Sequence, residues 1–127
     1  MADSNFKLSQ IGVLMLGVQD LAKSVAFYRD KLGLVVSGEV PGEFAFLKAG
    51  SVTLGLSMPI AKHTGQGPGC TEVVFSVDDV TAAYEALKGR GVHFTHEPRV
   101  ATGPMWVANF NDPDGHRLSV FGPKSAA

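Results

Sequence analysis

The sequence predicts an α+β fold made of two βαβββ modules. Three observations carry that prediction. A pattern of apolar strand, Val-x-Asp and amphipathic helix occurs twice, with Val18 matching Val77 and Asp20 matching Asp79 at an offset of 59 residues. Three short strand patterns follow each helix. One stretch rich in Pro and Gly, PIAKHTGQGPGC at 59–70, separates the two copies.

The elements follow in order. Residues 10–18 read as a nearly continuous apolar strand. Asp20 can cap the next helix by accepting from free backbone N–H groups of its first turn. That helix, about 21–32, puts Leu21, Val25, Tyr28 and Leu32 on one face. Gly33 stands where a left-handed C-cap belongs. Strands are expected at 34–40, 43–49 and 52–58, turned by Pro41-Gly42 and Gly50-Ser51. The second copy repeats this, with a strand at 71–77 and a helix at 79–90 capped by Asp79 and closed by Gly91. Strands at 92–97, 105–111 and 116–121 complete it, the last two joined by the turn Asn111-Asp112-Pro113-Asp114-Gly115.

The expected organisation is a leader over 1–9, one domain over 10–122 and a tail over 123–127. The domain divides into repeat 10–58, linker 59–70 and repeat 71–122. A single βαβββ unit covers only one face of its sheet with a helix. Two copies side by side form a half-open curved sheet around a cavity, a natural place for a small molecule.

Bulk properties narrow the function. Apolar residues at 45% and charged residues at 18% describe a globular chain. A net charge of −1 gives no electrostatic case for nucleic acid or an anionic membrane. No apolar run approaches the roughly 20 residues that span a bilayer. The opening MADSNFKLSQ has no apolar signal core, so the expected location is the cytoplasm. Cys70 is the only cysteine, which excludes an intramolecular disulfide and a cysteine-rich zinc site.

The doubled βαβββ, the run Val-x-Asp-Leu-x-x-Ser-x-x-Phe-Tyr at 18–28 and the Asp-Pro-Asp-Gly turn at 112–115 resemble the vicinal oxygen chelate superfamily. That group includes glyoxalase I, bleomycin and fosfomycin resistance proteins and extradiol dioxygenases. The resemblance covers about 10–122 and speaks to fold more than to activity. It implies a divalent metal held by His, Gln or Glu at matching places in the two halves. Those places fall on Val13, Gly55, Glu72 and Ser119 in this chain. Valine and glycine side chains have no lone pair to give, a serine hydroxyl is a poor ligand, and one carboxylate does not make a catalytic metal site. The expectation is therefore a cavity with no metal and no cofactor. His63, His93, His96 and His116 offer no convincing ligand spacing. His63 and His116 read as surface residues, and His96 as a residue at a cavity rim.

Alternation along the strands then gives the expected pocket. The first half supplies Val13, Met15, Thr53, Gly55 and Ser57. The second supplies Glu72, Val74, Arg117 and Ser119, with Val107 and Asn109 from the strand before the DPDG turn. Phe44 and Phe46 share a face, but the sequence does not say which. Any apolar member of this set serves equally well as plain core. Glu72 is the candidate catalytic residue, because a carboxylate on an apolar face must be paired, solvated or protonated. It could act as a base, hold a ligand, or simply pair with Arg117.

Three functions stay open. The first is a bleomycin resistance-like protein that binds a small organic molecule in a metal-free cavity, in a sequestration or resistance role. By resemblance it would be a homodimer. The second is a metal-dependent glyoxalase-like lyase or a dioxygenase. The third is a metal-independent enzyme with Glu72 as base. The residues favour binding over turnover.

Overall fold

Each copy of the repeat folds into its own four-stranded sheet, in a computed structural model that describes residues 10–64 and 71–126. In the first copy, β1 (Val13–Gly17) leads to α1 (Leu21–Ala26), then β2 (Val35–Val40), β3 (Phe44–Ala49) and β4 (Val52–Ser57). Their order in the sheet is β1-β4-β3-β2, with β1 parallel to β4 and the other pairs antiparallel. α2 (Met58–Thr64) follows. The second copy runs β5 (Glu72–Ser76), α3 (Val80–Gly89), β6 (Phe94–Thr102), β7 (Met105–Asn111) and β8 (Arg117–Pro123). Its order, β5-β8-β7-β6, has the same strand directions. The leader expected over 1–9 and residues 65–70 of the expected linker lie outside the described residues.

The repeated Val-x-Asp has a structural reason. Asp20 accepts from Lys23 N–H at 3.1 Å and Asp79 from Ala82 N–H at 2.8 Å, so each aspartate caps the helix after an edge strand. Gly33 and Gly91 then leave the two helical segments at φ of 81° and 90°, a conformation that disfavours other residues.

Three expectations need correction. The first helix is not uniform over 21–32. It is α-helical only to Ala26 and continues through Phe27–Lys31 as a wider π turn. The segment 59–70 is not wholly a linker, because α2 occupies its first part. Ser57 Oγ accepts from Ile60 N–H at 3.1 Å in the manner of an N-cap, and Pro59 falls in the first turn, where a missing N–H costs nothing. Finally, β6 is longer than 92–97 and irregular, with register shifts on both sides of His96 and again after Val100.

One apolar core serves both modules. Leu16, Val25, Tyr28 and Leu54 from the first copy join Val80, Phe110, Leu118 and Val120 from the second in a single buried cluster. Polar bonds tie the copies at its edge. Gln19 N–H donates to Asp114 Oδ1 at 2.9 Å, and Arg90 Nη1 donates to the Lys31 carbonyl at 3.0 Å. His116 Nε2 lies 2.7 Å from the Gly17 carbonyl, which can only accept, so Nε2 carries the hydrogen. His116 is thus a cross-module strut rather than a free surface residue.

Candidate functional site

The helices cover one face of each sheet, and the opposite faces hold the expected pocket residues in two sets. On the first sheet, Val13 lies opposite Thr53 and Met15 opposite Gly55. Phe46 also lies opposite Gly55, and Phe44 opposite Ser57, so both phenylalanines belong to this inner face. Their rings are 5.4 Å apart. Ser57 is buried, and its hydroxyl is spent on capping α2.

On the second sheet the register builds rows across the strands. Glu72 pairs with Arg117, Val74 with Ser119, and Ser119 with Asn109. Val107 pairs with Phe121, one step further along. His96 lies opposite Asn109 and Arg99 opposite Val107, so both join this face from β6. The sequence places His96 at a rim, whereas nothing in its local pattern marks Arg99 as part of this face.

Glu72 organises the face. Asn109 Nδ2 donates to Glu72 Oε2 at 2.8 Å, and Arg117 Nε donates to the same oxygen at 2.9 Å. The ion pair is half-exposed, so it contributes at most about 1 kcal/mol to stability. Its larger effect is on orientation. A carboxylate has no hydrogen to give, so Asn109 must turn its amide nitrogen toward Glu72 and its oxygen away. That oxygen and Ser119 Oγ are both buried and make no hydrogen bond among the described residues. Two unpartnered polar atoms beneath a half-exposed ion pair form an uncommon arrangement, since most buried polar groups are paired.

A cavity of about 620 Å³ opens along the free edge of β5. Glu72, Val74 and Ser76 line it, facing the β3–β4 turn around Ser51 and Val52. Of the expected pocket residues, Glu72 and Val74 reach this cavity.

The chain matches the family model of the glyoxalase/bleomycin resistance protein/dioxygenase superfamily over residues 10–120. It belongs to that superfamily. A lactoylglutathione lyase from Haemophilus influenzae is 32% identical over 128 residues, covering 91% of this chain and 94% of that protein. A superfamily member of known structure from Nocardioides superposes with a TM-score of 0.78 at 30% identity, over 94% of this chain and 87% of that one. An antibiotic binding protein from a Streptomyces species superposes with a TM-score of 0.75 at 25% identity, over 94% of this chain and 99% of that one.

The superfamily resemblance implies a metal, and the residues at its four ligand positions do not fit one. Val13 and Gly55 offer no donor. A side chain at Gly55 would run into the Met15 sulfur and lie 3.3 Å from the Phe46 ring, so apolar groups already fill that space. Ser119 is a hydroxyl, and Glu72 is engaged by an amide and a guanidinium. Among the described residues, no group of three or more His, Cys, Asp or Glu side chains could hold a metal ion.

Sequence reasoning missed the hydrogen bond of Tyr28 to Asp112, which holds the two superfamily motifs together (2.8 Å). Burial and the adjacent Asp112 carboxylate raise the Tyr28 phenol above its ordinary range, so it stays protonated and donates. Burial also pushes the Asp112 carboxyl up, opposed by its bonds from Tyr28 and His116 N–H. No sequence signal ties a tyrosine in one module to an aspartate in the other, beyond the presence of both motifs.

Proposed function

We propose that this superfamily member binds a small organic molecule on its inner faces without a metal. The observation that carries the reading is the state of Glu72. The one strong ligand-type side chain among the four positions is bound to Asn109 and Arg117, while Met15 and Phe46 fill the space over Gly55. What remains is an apolar surface with a few directed polar groups, the usual make-up of a small-molecule site. The antibiotic binding protein with the same fold shows that binding is one use of this architecture. Val13 and Val74, 43% and 50% exposed, leave apolar surface open on both inner faces. We take this as support for a homodimer in which a second copy covers part of it.

A metal-independent enzyme with Glu72 as base is the second reading. Glu72 Oε1 favours it, since it has no hydrogen-bond partner among the described residues.

Thermal shift over a panel of small aromatic and amphipathic compounds, with and without EDTA, tests the proposal. A binder at roughly a hundredfold excess over Kd stabilises the native state by about 2.7 kcal/mol. Shifts that persist in EDTA support metal-free binding. Shifts that require Zn, Ni, Mn or Fe(II) overturn it in favour of the metal-dependent lyase or dioxygenase.

A further inference from the structure

The charged residues on the strands are sorted by face. Lys48 lies opposite Thr53, which puts it on the inner face of the first sheet. Glu72, Arg117 and Arg99 lie on the inner face of the second. The other charged strand residues are Glu39 and Glu97. Glu39 is opposite the buried Ala45, and Glu97 falls in the bulge opposite Ala108, so both belong to the helix-side faces. The inner faces therefore carry Lys48, Arg99 and Arg117 against Glu72 alone, and the helix-side faces carry only carboxylates. A chain of net charge −1 has gathered its strand cations on the inner faces.

The lone inner carboxylate is already spoken for. Among the described residues the salt bridges are Arg29–Asp30 and Arg117–Glu72, so Lys48 and Arg99 present their charge without a bound anion. A second observation is independent of charge. Asn109 Oδ1 and Ser119 Oγ, on side chains each 1% exposed, have no partner, and they stand on facing residues of β7 and β8. With its nitrogen turned to Glu72, Asn109 presents its unpartnered Oδ1 as an acceptor. The flanking Val74, Val107 and Phe121 are apolar and partly open.

From these we infer that the inner face of the second sheet takes a planar aromatic acid. Its anionic group lies toward Arg99, the cation of this face without an ion-pair partner among the described residues. An O–H or N–H beside that group donates to Asn109 Oδ1. Its ring rests on Val74, Val107 and Phe121. This rests on the proposed reading of the inner face as a ligand site, and adds the class of ligand.

Calorimetric titration with naphthoate, naphthalenemethanol and naphthylmethylammonium, three probes of one shape, isolates the charge. The acid should bind at least about tenfold tighter than the ammonium, the size expected when one probe gains an exposed ion pair with Arg99 and the other meets its like charge. Added salt should narrow the gap, and a neighbouring hydroxyl, in hydroxynaphthoate, should tighten binding. Arg99 is exposed on an edge strand with no ion-pair partner among the described residues, so Arg99→Gln and Arg99→Glu should fold normally and progressively weaken the acid. Equal or tighter binding of the ammonium or the alcohol overturns the charge assignment and leaves a binding protein standing. Failure of all the probes to bind overturns the aromatic class. Stoichiometric metal in the same preparation overturns the reading beneath both.

Discussion

Tyr28 donates its phenol hydrogen to Asp112 Oδ2 across 2.8 Å, joining residues 84 positions apart. Both side chains are buried, with Asp112 only 5% exposed. The other Asp112 oxygen accepts from the backbone N–H groups of Asp114 and His116, closing the DPDG turn. One carboxylate thus shapes the turn of the second module and anchors the helix of the first.

Removing the phenol hydroxyl tests that link. Tyr28→Phe leaves a buried carboxylate short of one donor, at a cost of about 1–3 kcal/mol. Urea unfolding should show a lower midpoint with an unchanged slope. A midpoint equal to wild type would mean that the bond contributes nothing to stability.

Asp112 also predicts a pH dependence. Its folded pKa is raised, mainly by burial, so the folded state holds this proton more tightly than the unfolded chain. Its contribution to stability is greatest below the ordinary value of 3.8 and is lost as pH rises through the folded value. Asp79 acts in the opposite direction. Backbone donors, first Ala126 N–H and then Ala82 N–H, lower its pKa, so its contribution is present above the ordinary value and lost as pH falls. The difference in unfolding free energy between wild type and Asp112→Asn should therefore shift against wild type as pH rises from about 3.8. A difference that moved the other way would show that hydrogen bonding to Asp112, not burial, controls it.

Gly55 predicts the result of restoring a metal ligand. Gly55→Glu must displace the Met15 side chain and crowd the Phe46 ring. Overpacking of this kind costs typically about 1–3 kcal/mol. The variant should melt lower and gain no metal, since Val13 and Ser119 still supply no ligand to join it. Metal uptake by this single variant would show that the inner face is closer to a chelating site than its residues indicate.

Glu72→Gln separates binding from catalysis. Its ion pair with Arg117 is half-exposed, so stability should change by no more than about 1 kcal/mol. Removing the one carboxylate that the described strands place on the inner faces should tighten binding of an aromatic acid. Neutral compounds should bind about as before. A turnover activity that collapsed in this variant would establish Glu72 as a base instead.

The sequence announced the doubled βαβββ because the features that make it are local. Asp20 and Asp79 cap, Gly33 and Gly91 end helices, and alternation marks each strand. The α2 turn was hidden within a segment that reads as linker, although Ser57 as cap and Pro59 in the first turn were available signals. The π turn at Phe27–Lys31 left no mark in the spacing of Leu21, Val25 and Tyr28. Within the candidate site, alternation grouped Glu72, Arg117 and Ser119, because one strand period sorts faces. It could not show that Asn109 would bond to Glu72, or that bulges in β6 would bring Arg99 onto the same face. Those depend on register between strands distant in sequence. The Tyr28–Asp112 bond depends on how two modules pack, which no local pattern encodes.

Metal content tests the central claim most directly. The untagged protein would be incubated separately with Zn, Ni, Mn and Fe(II), desalted and analysed by mass spectrometry. A donor set of Val13, Gly55, Glu72 and Ser119 predicts less than about a tenth of an equivalent of each metal. Near-stoichiometric retention of any one of them would contradict the account and return this chain to the metal-dependent enzymes of its superfamily.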